Sequence, residues 1–470
     1  MLNKPSRRTV LRYGGFGLAG LALQDLLSQS LAAEAAGPTD QAINLSCPHF
    51  KPRAKRVIFL FMHGGPSHVD TFDYKPELIA QHGKPLPFDK PRVQFAQTGN
   101  LLQSPWKFQQ YGQSGTWVSD LFPHVGRHAD ELTFIHSLHG SNEAHGGALL
   151  KIHTGSDTFV RPSMGAWISY GLGTENANLP SFVTINPTLG HGGVRNFGSA
   201  FLPPNHQATR IGSSGASMKG ASIANLSPQS GSTPDGQRAE LDLVHSLTQL
   251  KAQAQGRQVD SELQARIESF ELAFRMQAEA PDLLDLSQET AETLALYGIN
   301  DGPTDNYGRQ CLIARRLSES GVRFVQVSHA YWDQHSELKE QHGTLAGQVD
   351  LPIAGLLTDL KRRGLLDDTL VIWGGEFGRT PTAQGDNGRD HNPHAFTWWM
   401  AGGGVRRGFH YGESDDFGFY SVKDKVHVHD LHATLLHLLG IDHERLTYHY
   451  GGRDFRLTDI AGRVIHDVMA

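Results

Sequence analysis

Six apolar residues in succession, Val57-Ile58-Phe59-Leu60-Phe61-Met62, constrain this chain more than any other segment. A strand with one face in water alternates apolar and polar residues. A run without alternation is buried on both faces, the habit of parallel sheets covered by helices. Comparable runs recur at Leu132–Ile135, Phe182–Ile185, Val322–Val327, Thr369–Trp373 and Phe396–Met400. Helical stretches lie between several of them. Asn306–Ser320 is closed by Gly321 and Leu345–Arg363 by Gly364, each glycine in the place of a left-handed cap, and each leads into an apolar run. Helix, glycine, strand, repeated, predicts an α/β protein with a parallel sheet. Two stretches interrupt the pattern. Residues 190–235 are rich in Gly, Ser, Asn and Pro and read as an irregular loop. Residues 236–297 read as a helical excursion with Leu263, Ile267, Phe270 and Phe274 on one apolar face. No internal repeat is present.

The N-terminus carries an address. Ser6-Arg7-Arg8-Thr9-Val10-Leu11-Arg12 matches the twin-arginine pattern, a short apolar run follows to Leu23, and Ala32-Ala33-Glu34-Ala35-Ala36 offers a small-residue cleavage site. The run is too short to span a membrane. Residues 1–36 are therefore expected to be a removed export signal, 37–55 a linker, and 56–470 one large domain with an insert at about 190–297. The destination is periplasmic or extracellular. A net charge of −6, with no basic stripe, argues against nucleic acid as a partner. Cys47 and Cys311 leave one disulfide open and exclude a cysteine-rich zinc site.

The 26 histidines are the unusual number, since imidazole is the commonest metal ligand. In open α/β sheets ligands sit beyond the carboxyl ends of the strands, so the residues after each apolar run matter most. After Met62 comes His63-Gly64-Gly65-Pro66-Ser67-His68-Val69-Asp70. After Val327 comes Ser328-His329-Ala330-Tyr331-Trp332-Asp333-Gln334-His335, with His342 beyond. After Trp373 comes Gly374-Gly375-Glu376-Phe377-Gly378-Arg379. Before Phe396 lies Gly388-Arg389-Asp390-His391-Asn392-Pro393-His394. One such loop is ordinary; four that bear His, Asp and Glu among glycines predict a shared site. His432, His437 and the pair Trp398-Trp399 read as packing residues.

At these motifs the chain resembles the family catalogued as domain of unknown function 1501, within the alkaline-phosphatase/sulfatase superfamily. His63-Gly64-Gly65-Pro66-Ser67-His68, Trp332-Asp333-Gln334-His335, Gly375-Glu376-Phe377-Gly378-Arg379-Thr380-Pro381 and Gly388-Arg389-Asp390-His391-Asn392 occur in the family's order. His145-Gly146-Gly147-Ala148 resembles the start of the helix that carries the sulfatase nucleophile. The segment Val428–Ile441 is similar to the closing helix of sulfatases. The resemblance implies an alkaline-phosphatase-like three-layer α/β sandwich with a mostly parallel central sheet and a helical excursion. It implies one or two divalent ions held by His63, Asp70, Asp333, His335, Glu376 and His391, with His394 as alternate to the last. Zinc suits these nitrogen and oxygen donors best, with manganese, magnesium or calcium also open.

The implied activity is metal-dependent hydrolysis of sulfate or phosphate esters, on a small molecule or an exported polysaccharide. His145 and Arg379 would contact the anion or the leaving group, unless Arg379 pairs with Glu376. The alternative is a metal-containing binding protein of the same fold. No Cys or Ser stands in the sulfatase nucleophile context, so Ser141, a metal-activated water, or no attacking group at all remain as readings.

Overall fold

The continuous apolar run becomes a strand, Arg56–Met62 (β1), with only its first residue partly exposed. In the computed structural model the described residues are 48–89, 98–224, 226 and 233–470, all within the unit Leu45–Ala470. The twin-arginine segment, most of the linker and Cys47 lie outside them. In chain order the main strands continue as Leu132–His139 (β2), Phe182–Ile185 (β3), Thr209–Ile211 (β4), Phe324–His329 (β5), Thr369–Gly374 (β6), Gly378–Gln384 (β7), Gly388–Asn392 (β8), Phe396–Ala401 (β9), Phe409–Tyr411 (β10) and Val426–His427 (β11). Nine of them form one sheet in the order β10-β2-β9-β6-β1-β5-β3-β4, with β11 also on β2. β7 and β8 form a separate hairpin.

Every pairing in the large sheet is parallel except those of β9, which runs against both β2 and β6. Among the described residues, the helices of eight or more residues are His145–Thr154 (α1), Met164–Leu172 (α2), Pro234–Ala254 (α3), Ser261–Leu284 (α4), Asp305–Glu319 (α5), Leu338–Arg362 (α6) and Val428–Leu438 (α7). Side chains alternate across β1 and feed two cores. Ile58, Leu60 and Met62 pack with α5 and α6 residues such as Leu312, Ile353 and Leu357. Val57, Phe59 and Phe61 pack with Leu149, Trp167 and Leu435 of α1, α2 and α7. The result is a helix–sheet–helix sandwich in which each buried large apolar side chain contributes about 1.5–3 kcal/mol of transfer free energy. Among the described residues no helix is long and apolar enough to cross a membrane.

The differences from the sequence reading are local. The strand expected from Val322 begins at Phe324, because Gly321, at φ +97°, and the two residues after it complete the turn out of α5. α6 starts at Leu338 rather than Leu345, its first two turns being mostly polar and outside the apolar pattern. On α4 the buried residues are Ala265, Ile267, Met276 and Ala280, whereas Phe270 is 62% exposed and Phe274 receives the Arg238 guanidinium over its ring. The irregular stretch 190–235 also contains β4, which extends the sheet beside β3.

Candidate metal centre

The register of the central strands sets the site. Met62 pairs with His329 and Phe61 with Gly374, so β1, β5 and β6 end side by side, at the roughly 4.8 Å spacing of neighbouring strands. The loop after β1 then lies directly on the loop after β5. His63 donates its backbone N–H to His329, and Trp332 donates to the His63 carbonyl. Gly64 permits this approach: it sits at φ +118°, and a Cβ there would stand 2.7 Å from the Trp332 backbone. Its N–H donates to both oxygens of Glu376, at 3.0 and 3.1 Å.

Asp333 is the hub. His335 Nε2 lies 2.9 Å and His391 Nε2 3.1 Å from its Oδ1, and Arg379 donates to the same oxygen at 2.6 Å. His145, the first residue of α1, places Nε2 3.2 Å from Asp333 Oδ2, outside hydrogen-bond geometry, while its Nδ1 lies 2.8 Å from Glu376 Oε1. The other nitrogens of the outer rings also meet oxygens. His335 Nδ1 is 2.5 Å from Gln384 Oε1, and His391 Nδ1 is 2.7 Å from the Glu143 carbonyl. A neutral imidazole has one N–H, yet three rings face acceptors with both nitrogens. The arrangement therefore demands added positive charge, as protons or as a cation.

The titration behaviour agrees for two of these rings, His145 and His335. Burial lowers His145, but the carboxylates of Asp333 and Glu376 outweigh it and raise it to about 9. Burial raises Glu376, yet His145 and the charge of His63 hold it at about 2. Burial likewise opposes ionisation of Asp333, but its His145, His335 and His391 contacts and the Arg379 charge drive it far below the carboxylate range. His335 is raised chiefly by Asp333, whereas burial lowers His63 and His391. His63 Nε2, His145 Nε2 and Asp390 Oδ2 are buried without a hydrogen-bond partner. Among the described residues, His145, Asp333 and His391 offer ligand atoms all within 4.8 Å of one another. Imidazole nitrogens and carboxylate oxygens so placed fit a divalent ion.

Of the residues expected to meet, His63, His145, Asp333, His335, Glu376 and His391 do so. Three others are placed differently. Asp70 is fully buried in a pair with Arg389, at 2.6 and 3.1 Å, and accepts from Ser67 Oγ, so it neutralises a guanidinium instead of facing the cluster. Arg379 pairs with Asp333 rather than Glu376. Buried at 1% exposure, it directs Nε to the Gly65 carbonyl and its terminal nitrogens to the carbonyls of Gly64, Trp332 and Arg389, which commits most of its donors to the backbone. Ser141 is exposed and donates to Asp157 at 3.2 Å, away from the hub. His394 lies against Phe419 and Tyr420, so His391 is the one that enters the site.

One member was missed. The His191 ring stacks on His145 at 4.9 Å between centroids and lies 5.8 Å from His63. A signal existed: the tripeptide His-Gly-Gly occurs at 63, 145 and 191, and the three histidines come together.

The family model described as "Protein of unknown function (DUF1501)" matches residues 54–469. The chain belongs to the DUF1501 family. No curated protein matches the sequence. Among solved structures, this DUF1501 chain is similar to Ps i-CgsB in complex with k-i-k-neocarrahexaose, at 13% identity and a TM-score of 0.38, over 83% of this chain and 72% of that one. It is similar to the sulfatase PsFucS1 from Pseudoalteromonas sp., at 14% identity and a TM-score of 0.35, over 84% and 68%. A protein in the alkaline phosphatase superfamily from Vibrio parahaemolyticus aligns at 11% identity and a TM-score of 0.30, over 88% and 73%.

Proposed function

We propose that this DUF1501 chain is an exported, metal-dependent hydrolase of sulfate or phosphate esters, with a small-molecule or polysaccharide ester as substrate. One observation carries the reading: three imidazole Nε2 atoms converge on the single carboxylate of Asp333, beside the orphaned Nε2 of His63, at the carboxyl edge of a parallel sheet. His63, Asp333, His335, Glu376 and His391 would hold one or two divalent ions, with His145 beside them. A bound ion supplies Lewis acidity toward an ester oxygen.

The chain's own residues do the rest. Arg379, spent on four backbone carbonyls and Asp333, fixes the hub's orientation. Gln384 and the Glu143 carbonyl orient His335 and His391 through their Nδ1 atoms, the second contact that sets a ligating ring. Glu376 fixes His145 through Nδ1 and leaves its Nε2 toward the hub to carry a proton to a departing alkoxide. Ser141 donates to Asp157 rather than to the hub, which favours water as the attacking oxygen.

That placement of Ser141 also favours one rival: a binding protein that keeps the ion without turnover. Metal analysis of the purified protein and a screen of aryl phosphate and aryl sulfate esters separate the two. Asp333→Ala is expected to lower bound metal and ester turnover together, the latter by about 100-fold or more. Metal with no turnover on any ester supports the rival. Unchanged metal content in Asp333→Ala defeats both.

A further inference from the structure

A second cleft, sharing no residue with the metal centre, lies beside β2 and β10. Two cavities of about 400 and about 370 Å³ meet there at His136, Gly412 and Glu413, each within the usual size range of small-ligand sites. Its floor is a built polar chain. His136 Nε2 lies 2.8 Å from His410 Nδ1, and His410 Nε2 lies 2.9 Å from Thr116 Oγ1. Asp73 accepts from Ser414 Oγ at 2.5 Å and pairs with Lys75 at 3.0 Å. Tyr74 lines the larger cavity, and just outside the lining Trp117, from the hairpin of Phe108–Tyr111 and Thr116–Ser119, lies 4.5 Å from Tyr74 between ring centroids, at 32°, extending the aromatic surface. Trp117 is 39% exposed, so its ring is open to a ligand that enters the cleft.

We propose that this cleft binds the sugar units of an uncharged or amine-bearing glycan. A pyranose ring has an apolar C–H face and a rim of hydroxyls. An aromatic surface takes the first, and carboxylates accept strong, charge-assisted hydrogen bonds from the second. Charge selects the class. Six carboxylates line the two cavities against three permanent cations, Lys75, Arg406 and Lys423, and Lys75 is tied to Asp73 and Lys423 to Glu413. Sulfated or uronic chains are repelled by that excess. The site stands or falls independently of the hydrolase reading.

The test is binding of the chain, with its metal content measured, to an array of neutral, amino-bearing and sulfated oligosaccharides, with a tetralysine peptide as comparison. Hits are then titrated by calorimetry and tryptophan fluorescence. Neutral or amino sugars are expected to bind, and Trp117→Ala to weaken them about tenfold, the worth of an aromatic contact with its buried area. Metal content and thermal stability should not move. Glu413→Gln, on an exposed side chain, provides a second variant if Trp117→Ala fails to fold, and is expected to weaken binding in the same direction. Failure of every sugar to bind, preference for sulfated chains, preference for the peptide, or binding indifferent to both variants overturns the proposal.

Discussion

Asp70→Asn is the sharpest probe of how charge is divided between scaffold and site. The substitution keeps the shape and removes the charge that faces Arg389; both side chains have no exposed surface. Asp70 accepts from Arg389 at 2.6 and 3.1 Å and from Ser67 at 2.5 Å. Arg389 keeps its bonds to the Thr380 and Leu102 carbonyls, at 3.0 and 2.9 Å. Stranding one member of a buried pair costs about 3–5 kcal/mol, and the retained carbonyl bonds place this case near 3. That is about a 100-fold change in the folding equilibrium, within the margin of a stable domain. Urea titration followed by circular dichroism should show the lower midpoint, while metal content under native conditions stays at the wild-type level.

Burial pushes the Asp70 carboxyl up, but the Arg389 charge outweighs it, so its folded pKa lies below the ordinary value. Its contribution is therefore present above the unfolded value, near 4, and lost as pH falls through the lower folded one; the wild-type and variant curves should converge in acid. Asp70→Leu combined with Arg389→Met should recover most of the loss. Unchanged stability together with lost metal would refute the reasoning and return Asp70 to the ligand set.

Gly64→Ala forces a positive-φ residue against the Trp332 backbone and should cost about 1–3 kcal/mol and displace Asp333, seen as reduced metal content. Glu131, held at about 2 chiefly by its hydrogen bond to His128, contributes stability above its unfolded value that is lost as pH falls from about 4.5 toward 2; Glu131→Gln should flatten that part of an acid denaturation curve. Cys311 is fully buried and burial pushes its thiol up, so a thiol reagent should label it only after denaturation. Changing Arg7 and Arg8 together to Lys should retain the precursor in the cytoplasm with its leader uncleaved, read by fractionation and blotting; normal export would remove the twin-arginine assignment.

What the sequence made legible was periodicity and punctuation. The unbroken run at Val57–Met62 and the glycines at 321 and 364 announced a strand buried on both faces and two helix ends, because each is a local consequence of backbone and burial. The loops with His63, Asp333, Glu376 and His391 were legible because chemistry collects at strand ends. Partnership was not legible. Asp70 and Arg389 are 319 residues apart, and nothing local says that one cancels the other. Arg379 could be read as contacting an anion or pairing with Glu376 until its carbonyl partners and Asp333 were visible. His191 sat in a stretch whose glycines and serines read as featureless, and only the third occurrence of His-Gly-Gly marked it.

The reversal of β9 has a use beyond topology. A strand that enters the sheet from its carboxyl edge makes the segment before it, not after it, overhang that edge. The β7–β8 hairpin is that overhang, and its turn at residues 385–387 is exposed just past Gln384, the residue that holds His335. Lengthening this turn would raise a wall beside the mouth while leaving the sheet and both cores untouched, at an entropic cost that grows only slowly with loop length. The hairpin tip is thus a port for grafting: new selectivity can be installed by inserting residues there, as one exchanges the head of a tool and keeps the handle.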